Sequence, residues 1–209
     1  MHELVTREEL VQRLDSEGRL TYVMLVGLHG SGKTSIANAL HDCGFVRLSM
    51  DRIVSKHPML GMLWLALEAK FLAKLRKRLS ERKNIVDDNL NVSAHSRAAV
   101  LSEVRAAGYE RVVIVFVDTP LSVCLRRNAT RGDRAPDWVI EQLYGQLHDL
   151  GLPRASEAEL VLIVPNEDET RYLARFEGYK PIAQVNRGRT GLIESLRKWL
   201  SGLWNRSKG

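Results

Sequence analysis

The sequence predicts an α/β fold in which helices flank a mostly parallel, five-stranded sheet. Short runs rich in Val and Ile alternate along the chain with longer segments of helical periodicity. These short runs show little polar alternation, which is typical of strands that are buried on both faces. Strands separated by helices imply right-handed crossovers and therefore parallel pairing. With 209 residues, 44% hydrophobic and 27% charged, the chain has the length and composition of one globular domain.

The predicted elements follow one another in the order that such a fold requires. Strands are predicted at 22–26, 45–48, 84–86, 111–117 and 159–164. Helices are predicted at 33–41, 59–82, 92–107, 120–131 and 137–149. The main domain is thus expected at 21–165, with an N-terminal helix within 1–20 and a basic C-terminal extension over 166–209.

The amino-terminal segment lacks the apolar core of a signal peptide and suits a helix that begins with a Thr6/Glu9 capping box. The longest strongly apolar stretch, residues 59–67, is far shorter than the about 20 residues that a membrane helix needs. We therefore expect a cytoplasmic protein without a membrane partner. The sequence indicates no particular protein partner.

Positive charge is concentrated in two regions of the chain. Residues 171–209 carry nine basic residues against two acidic ones, and the net charge of the whole chain is +6. A second basic cluster lies in the predicted helix at 59–82 and just after it, at Lys70, Lys74, Arg76, Lys77, Arg78, Arg82 and Lys83. Such clusters favour polyanions through counterion release, although a solvated helix face is the simpler interpretation of either one.

A phosphate-binding motif, GxxxxGK[ST], covers Gly27–Thr34 between a predicted strand and a predicted helix. Its glycines let the backbone N–H groups wrap a phosphate at a helix N-terminus. Lys33 is expected to reach the β- and γ-phosphates of ATP or GTP, and the Thr34 hydroxyl to ligate Mg²⁺. The predicted nucleotide-binding residues in this loop are Gly27, Gly30, Ser31, Gly32, Lys33, Thr34 and Ser35.

A carboxylate follows the second predicted strand, at Asp51. Parallel sheets open their ligand sites at the carboxyl ends of the strands, so Asp51 would face the γ-phosphate from the acceptor side. There it would accept the proton of an attacking hydroxyl. Capping the following helix is the alternative role, and the two roles are compatible.

An arginine-rich segment over 120–137 is predicted to form a helical lid. Arg127 and Arg131 are four residues apart, so one helix face would present both, and Arg134 follows in a Gly/Pro-punctuated loop. Arginines stabilise a transferring phosphoryl group, and Arg131 is the expected catalytic member. A solvated basic surface is the alternative. With no Asn-Lys-x-Asp segment for reading guanine, these features predict a P-loop kinase-type sandwich rather than a GTPase.

The chain resembles the kinase domain of phage-type and bacterial 5′-polynucleotide kinases. The resemblance covers about residues 21–153 and is carried by GLHGSGKT, SMDRI, IVDDNLN, VFVDTPLSVCLRRNATRG and PDWVIEQLYGQL. It implies a bacterial or phage-infected host cytosol and nucleic-acid 5′ ends, of DNA or RNA, as partners. It further implies that Asp51 is the general base, that Arg127 and Arg131 engage the nucleotide, and that Asp87 and Asn89 line the acceptor site.

One departure from the family concerns acceptor binding. The family has an arginine three residues after the catalytic aspartate, and here that position is Val54. Arg52 is the predicted substitute, with Lys56 and Arg97 as alternatives. Two other functions stay open: a P-loop kinase of a small metabolite (zeta-toxin-like, nucleoside, sugar or antibiotic kinase), and a nucleotide-dependent nucleic-acid-binding module without transfer activity.

Overall fold

The computed structural model describes residues 2–4, 10, 14, 19–50, 64–132 and 134–165. Within them the strands are β1 (His2–Leu4), β2 (Thr21–Val26), β3 (Val46–Leu48), β4 (Ile85–Asp87), β5 (Arg111–Asp118) and β6 (Leu160–Pro165). All pairings among these strands are parallel, in the order β1-β6-β5-β2-β4-β3. The predicted α/β class is confirmed, and each of the five predicted strands is present to within one residue at either end.

The sixth strand, β1, corrects the predicted strand count. The sequence predicts a helix from the start of the chain, whereas His2–Leu4 pair with β6, His2 opposite Val161 and Leu4 opposite Ile163. Without β1, strand β6 would be at the edge of the sheet and present unpaired backbone groups, and a three-residue segment can satisfy them whatever its own helix propensity. The capping box proposed at Thr6 and Glu9 lies outside the described residues.

Among residues 19–50, 64–132 and 134–165, five helices and one π-helical turn lie between the strands. They are α1 (Lys33–Asp42), α2 (Trp64–Ser80), α3 (Ala94–Ala106), α4 (Leu121–Ala129), α5 (Asp137–Gln146) and the π turn Leu147–Gly151. In the part of the chain that the structure covers, no helix is both long and apolar enough to cross a membrane. The predicted extension over 166–209 is not among the described residues.

Two apolar layers enclose the sheet. Along β2, Tyr22 and Met24 pack into one layer with α2, α3 and α5, whereas Val23 and Leu25 pack into the other with α1. All six residues of β2 are buried, which explains why its sequence lacks polar alternation. Helix α1 therefore lies on one face of the central strand, with its N-terminus at the carboxyl edge of the sheet.

Candidate phosphoryl-transfer site

The backbone of the loop between β2 and α1 favours glycine at Gly30 and Gly32 in particular. Gly30 and Gly32 have φ angles of +77° and +99°, in the left-handed region that favours glycine. A Cβ atom at Gly30 would lie 2.6 Å from the carbonyl oxygen of Cys124, so α4 packs directly against the loop. Burial raises the pKa of the Cys124 thiol to about 11, which keeps this cysteine unreactive at neutral pH.

Lys33 lies against the backbone of the same loop. Its Nζ atom donates to the Leu28 carbonyl at 2.6 Å and contacts Ser31 Oγ at 3.4 Å, and the residue is 8% exposed. The loop is anchored from two sides: the Thr119 hydroxyl donates to the Ser31 carbonyl at 2.9 Å, and the Gly27 N–H to the Leu90 carbonyl at 3.0 Å. The ammonium is thus held in a partly desolvated position, where its attraction for a phosphate is less screened than in water.

Asp88 connects Thr34 to β3 and is the main residue that the sequence prediction missed. The Thr34 hydroxyl donates to Asp88 Oδ2 at 3.2 Å, and Arg47 Nε donates to the same oxygen at 2.9 Å. Arg47 also donates through Nη1 to Asn38 Oδ1 at 2.7 Å. The Asp87-Asp88 doublet was the available signal, but side chains alternate along a strand, and only the structure shows which carboxylate faces Thr34.

The oxygens of Thr34 and Asp88 are of the type that a magnesium ion prefers, although Asp88 Oδ2 also accepts from Arg47. Because Thr34 donates its proton to Asp88, the lone pairs of its own oxygen are available to a metal. Mg²⁺ keeps several waters and needs only one or two protein oxygens besides the substrate phosphates. Among the described residues no group of three or more His, Cys, Asp and Glu side chains offers a complete metal site. This pair therefore suits an ion that arrives with a nucleotide.

Asp87, the predicted acceptor-site residue, lies in the interior with 0% exposure. Its carboxylate accepts from the Tyr22 hydroxyl at 2.9 Å and from Asn89 Nδ2 at 2.5 Å. Burial raises the pKa of Asp87 to about 7 although these hydrogen bonds favour its ionised form. Burial and the neighbouring Asp87 likewise raise the pKa of Tyr22. These contacts are internal to the protein, and the assignment of Asp87 to the acceptor site stays a prediction.

The other predicted acceptor residues have different outcomes. Asn89 is at the carboxyl edge, where its Oδ1 accepts from the backbone N–H of Met50 at 2.6 Å. Asp51 and Arg52 lie outside the described residues, as do Val54 and Lys56. Arg97 is not an acceptor group: it is fully buried, its guanidinium makes a bidentate ion pair with Glu157, and it donates to the Gly151 carbonyl.

The arginine-rich segment is only partly helical. Helix α4 ends at Ala129, so Arg131 lies beyond it and does not share a helix face with Arg127, contrary to the prediction. Arg127 is exposed, and its Nη1 donates to the Gly30 carbonyl at 3.3 Å, which brings it to the phosphate loop. The buried Asn128 holds the following loop by donating to and accepting from the backbone of Ala135.

Replacing Arg127 with alanine should lower turnover by about 10²-fold, the typical loss when one donor to a developing charge is removed. Its side chain is exposed, so the free energy of unfolding should change by no more than about 0.5 kcal/mol. Arg126→Ala, an exposed arginine on the same helix, is the matched control and should leave turnover unchanged. A large drop in melting temperature with normal kinetics would make Arg127 a structural residue instead.

A parallel sheet, a glycine-rich loop that leads from the central strand into a helix, and an arginine-bearing segment packed on that loop are the features of a P-loop protein. The chain belongs to the AAA_33 family, an AAA domain, whose model matches residues 23–150, more than half of the sequence. No curated protein matches the chain.

Several solved structures share this fold. A gluconokinase from Sinorhizobium meliloti 1021 aligns with 18% identity and a TM-score of 0.51, over 91% of this chain and 99% of its own. A structure from the PezAT chromosomal toxin–antitoxin system of Streptococcus pneumoniae aligns with 15% identity and a TM-score of 0.51, over 97% of each chain. AvrRxo1-ORF1:-ORF2 with ATP aligns with 18% identity and a TM-score of 0.50, over 68% of this chain, which spans only 55% of the matched chain. At these identities the likeness concerns the fold alone.

Proposed function

We propose that the protein is a polynucleotide 5′-hydroxyl kinase that transfers the γ-phosphate of ATP or GTP to the 5′ ends of DNA or RNA. The observation that carries this proposal is that segments by which the chain resembles 5′-polynucleotide kinases meet at one edge of the sheet. The phosphate loop contacts Arg127, Thr34 contacts Asp88, and Asn89 holds Met50, the residue before Asp51.

The proposed reaction is an in-line displacement at the γ-phosphorus. The oxygen of the acceptor hydroxyl forms a bond to phosphorus, the bond from phosphorus to the β–γ bridging oxygen breaks, and Asp51 takes the hydroxyl proton. Lys33 and the loop N–H groups hold the phosphates, while Arg127 and Arg131 stabilise the transferring group. A magnesium ion, when bound with the nucleotide, neutralises phosphate charge, and Thr34 and Asp88 would hold it.

The basic cluster around α2 is less concentrated at the site than the sequence suggests. Helix α2 ends just before β4 begins, so Arg82 and Lys83 lie toward the amino edge, opposite the phosphate loop. Two of the arginines are paired, Arg76 with Glu103 and Arg78 with Glu81. Lys70 and Lys74 are nearer the carboxyl edge, and they are the members of this cluster expected to meet a polyanionic acceptor.

The test is transfer of radiolabelled γ-phosphate from ATP or GTP to oligonucleotides with a 5′-hydroxyl, using DNA and RNA and both single-stranded and recessed ends. The same oligonucleotides carrying a 5′-phosphate are the matched controls and should accept no label. A panel of sugars, sugar acids, nucleosides, nucleotide sugars and aminoglycosides is run in parallel. Label on one of these compounds, with none on any oligonucleotide, would establish a small-metabolite kinase and refute our proposal.

Salt dependence gives a second prediction with an internal control. The KM for an oligonucleotide should rise with salt, each phosphate contact contributing a log–log slope of roughly 0.7. Lys70→Gln should reduce this slope by about one such contact, whereas Lys83→Gln, at the opposite edge, should leave it unchanged. Equal slopes in both variants and the wild type would show that α2 does not meet the acceptor.

The metabolite-kinase alternative is favoured by one observation. Two arginines of the α2 cluster are paired, and Arg82 and Lys83 lie at the far edge of the sheet. Less positive charge is therefore available beside the site to bind a nucleic acid. An uncharged acceptor needs no such surface. Its KM would be insensitive to salt.

A further inference from the structure

We infer that Tyr22, Asp87 and Asn89 form a relay, buried at Tyr22 and Asp87 and half-buried at Asn89, that positions the backbone of Met50, and with it the chain that enters Asp51. The relay makes Asp87 and Asn89 positioning residues and not acceptor contacts. Its consequence for turnover rests on the proposed function, in which Asp51 is the base. The anchoring of Met50 does not depend on the proposed function.

The relay is an unbroken series of hydrogen bonds from the central strand to the exit of the edge strand. The Tyr22 hydroxyl donates to Asp87 Oδ2 at 2.9 Å, and Asn89 Nδ2 donates to Asp87 Oδ1 at 2.5 Å. Asn89 Oδ1 then accepts from the Met50 N–H at 2.6 Å. Each partner therefore determines the orientation of the next.

The chemistry of the residues leaves Asn89 one orientation. Its amide must present nitrogen to the Asp87 carboxylate, which only accepts when ionised, and oxygen to the Met50 N–H, which only donates. A flipped amide would set oxygen against oxygen and N–H against N–H. The ionised carboxylate of Asp87 and the Met50 N–H thus favour the same orientation of the side chain that holds Met50.

The far end of the relay is itself rigid. Tyr22 is 0% exposed, and its ring packs edge-on against Tyr109 with centroids 6.2 Å apart. Tyr109 is tied in turn by a 2.7 Å hydrogen bond from its hydroxyl to the Lys83 carbonyl. The hydroxyl of Tyr22 is therefore presented to Asp87 by packed rings on the inner face of the sheet.

The relay supports the backbone just after β3, where strand-pairing hydrogen bonds give little support. Strand β3 has three residues and, among the strands that the structure describes, pairs with β4 alone, so ladder bonds from these strands hold it on a single side. After Leu48, whose carbonyl accepts from the Asp88 N–H at 2.8 Å, the next described anchor of the backbone is Asn89. A side-chain anchor at Met50 thus continues the strand pairing toward Asp51.

Asn89→Ala tests this inference, and Asn84→Ala is the matched control. Asn84 makes the same kind of bond at the opposite edge, where its Oδ1 accepts from the Thr21 N–H at 2.9 Å. In Asn89→Ala the Met50 amide should exchange with deuterium faster, kcat should fall about 10- to 100-fold through misplacement of the base, and KM for the acceptor should hardly change. In Asn84→Ala, Met50 exchange and kcat should match the wild type.

Tyr22→Phe provides a milder second variant if Asn89→Ala does not fold. It removes only the distal hydroxyl, so Met50 exchange should rise and kcat should fall, each by less than in Asn89→Ala. Unchanged Met50 exchange in the folded variants would overturn the relay. A raised acceptor KM with normal kcat would also overturn it, because Asn89 would then be an acceptor contact. The exchange measurement needs no acceptor, so its outcome is separate from whether oligonucleotides are phosphorylated.

Discussion

Replacing Lys33 with alanine should reduce phosphoryl transfer by at least about 10³-fold, at the upper end of losses seen when one group that stabilises developing charge is removed. Lys33 is 8% exposed and its ammonium donates to the loop carbonyl of Leu28, so water cannot readily take the place of the ammonium. Nucleotide binding should weaken together with turnover, because the lysine holds the phosphates before and during transfer. Binding is measured by calorimetry and transfer by label on the acceptor.

Asp51→Asn separates binding from chemistry. The amide keeps the shape of the carboxylate but cannot accept the hydroxyl proton, so kcat should fall by about 10²–10⁴-fold while nucleotide affinity stays normal. Lys77→Ala, at an exposed lysine of α2, is the control for the loss of positive charge in Lys33→Ala and should change neither kcat nor nucleotide affinity. Near-normal turnover in Asp51→Asn would remove this aspartate from the mechanism, and near-normal turnover in Lys33→Ala would remove the loop.

Replacing Arg97 with methionine should lower the free energy of unfolding by about 3–5 kcal/mol, the usual cost of breaking a buried ion pair on one side. Arg97 has 0% exposure and pairs through two nitrogens with Glu157, at 2.7 and 2.9 Å. It also donates to the carbonyls of Asn91 and Gly151, at 2.9 and 2.7 Å. Its loss leaves these acceptors without their donor in the interior.

Thermal unfolding measures this effect. For a chain of this size, such a loss lowers the melting temperature by about 6–20 °C. Arg76→Met is the matched control, because Arg76 pairs with Glu103 on the surface, with 61% of its side chain exposed, and water screens that pair. Arg97→Lys should recover only part of the stability, since an ammonium cannot serve all these acceptors at once. Equal melting temperatures for Arg97→Met and Arg76→Met would contradict the prediction.

The order of the elements could be predicted because each has a local signal. Runs such as the one at 111–117 are apolar throughout, and the Gly27–Thr34 motif has glycines at the positions whose backbone angles require them. The edge strand β1 could not be predicted this way. A segment of three residues is too short to show a hydrophobic periodicity. It forms a strand because it pairs with the edge of β6, about 160 residues further along the chain.

The sequence by itself determined the phosphate loop, with Lys33 and Thr34 in it, because spacing along the chain controls local backbone conformation. Only the tertiary structure decided which of two adjacent carboxylates meets Thr34, and that Arg97 is a buried support and not an acceptor group. Those outcomes depend on how a strand is pleated and on partners that are 54 and 60 residues away. Side chains alternate across a sheet, so a shift of one residue would exchange the positions of Asp87 and Asp88. The packing of the whole sheet sets that register, and no local pattern records it.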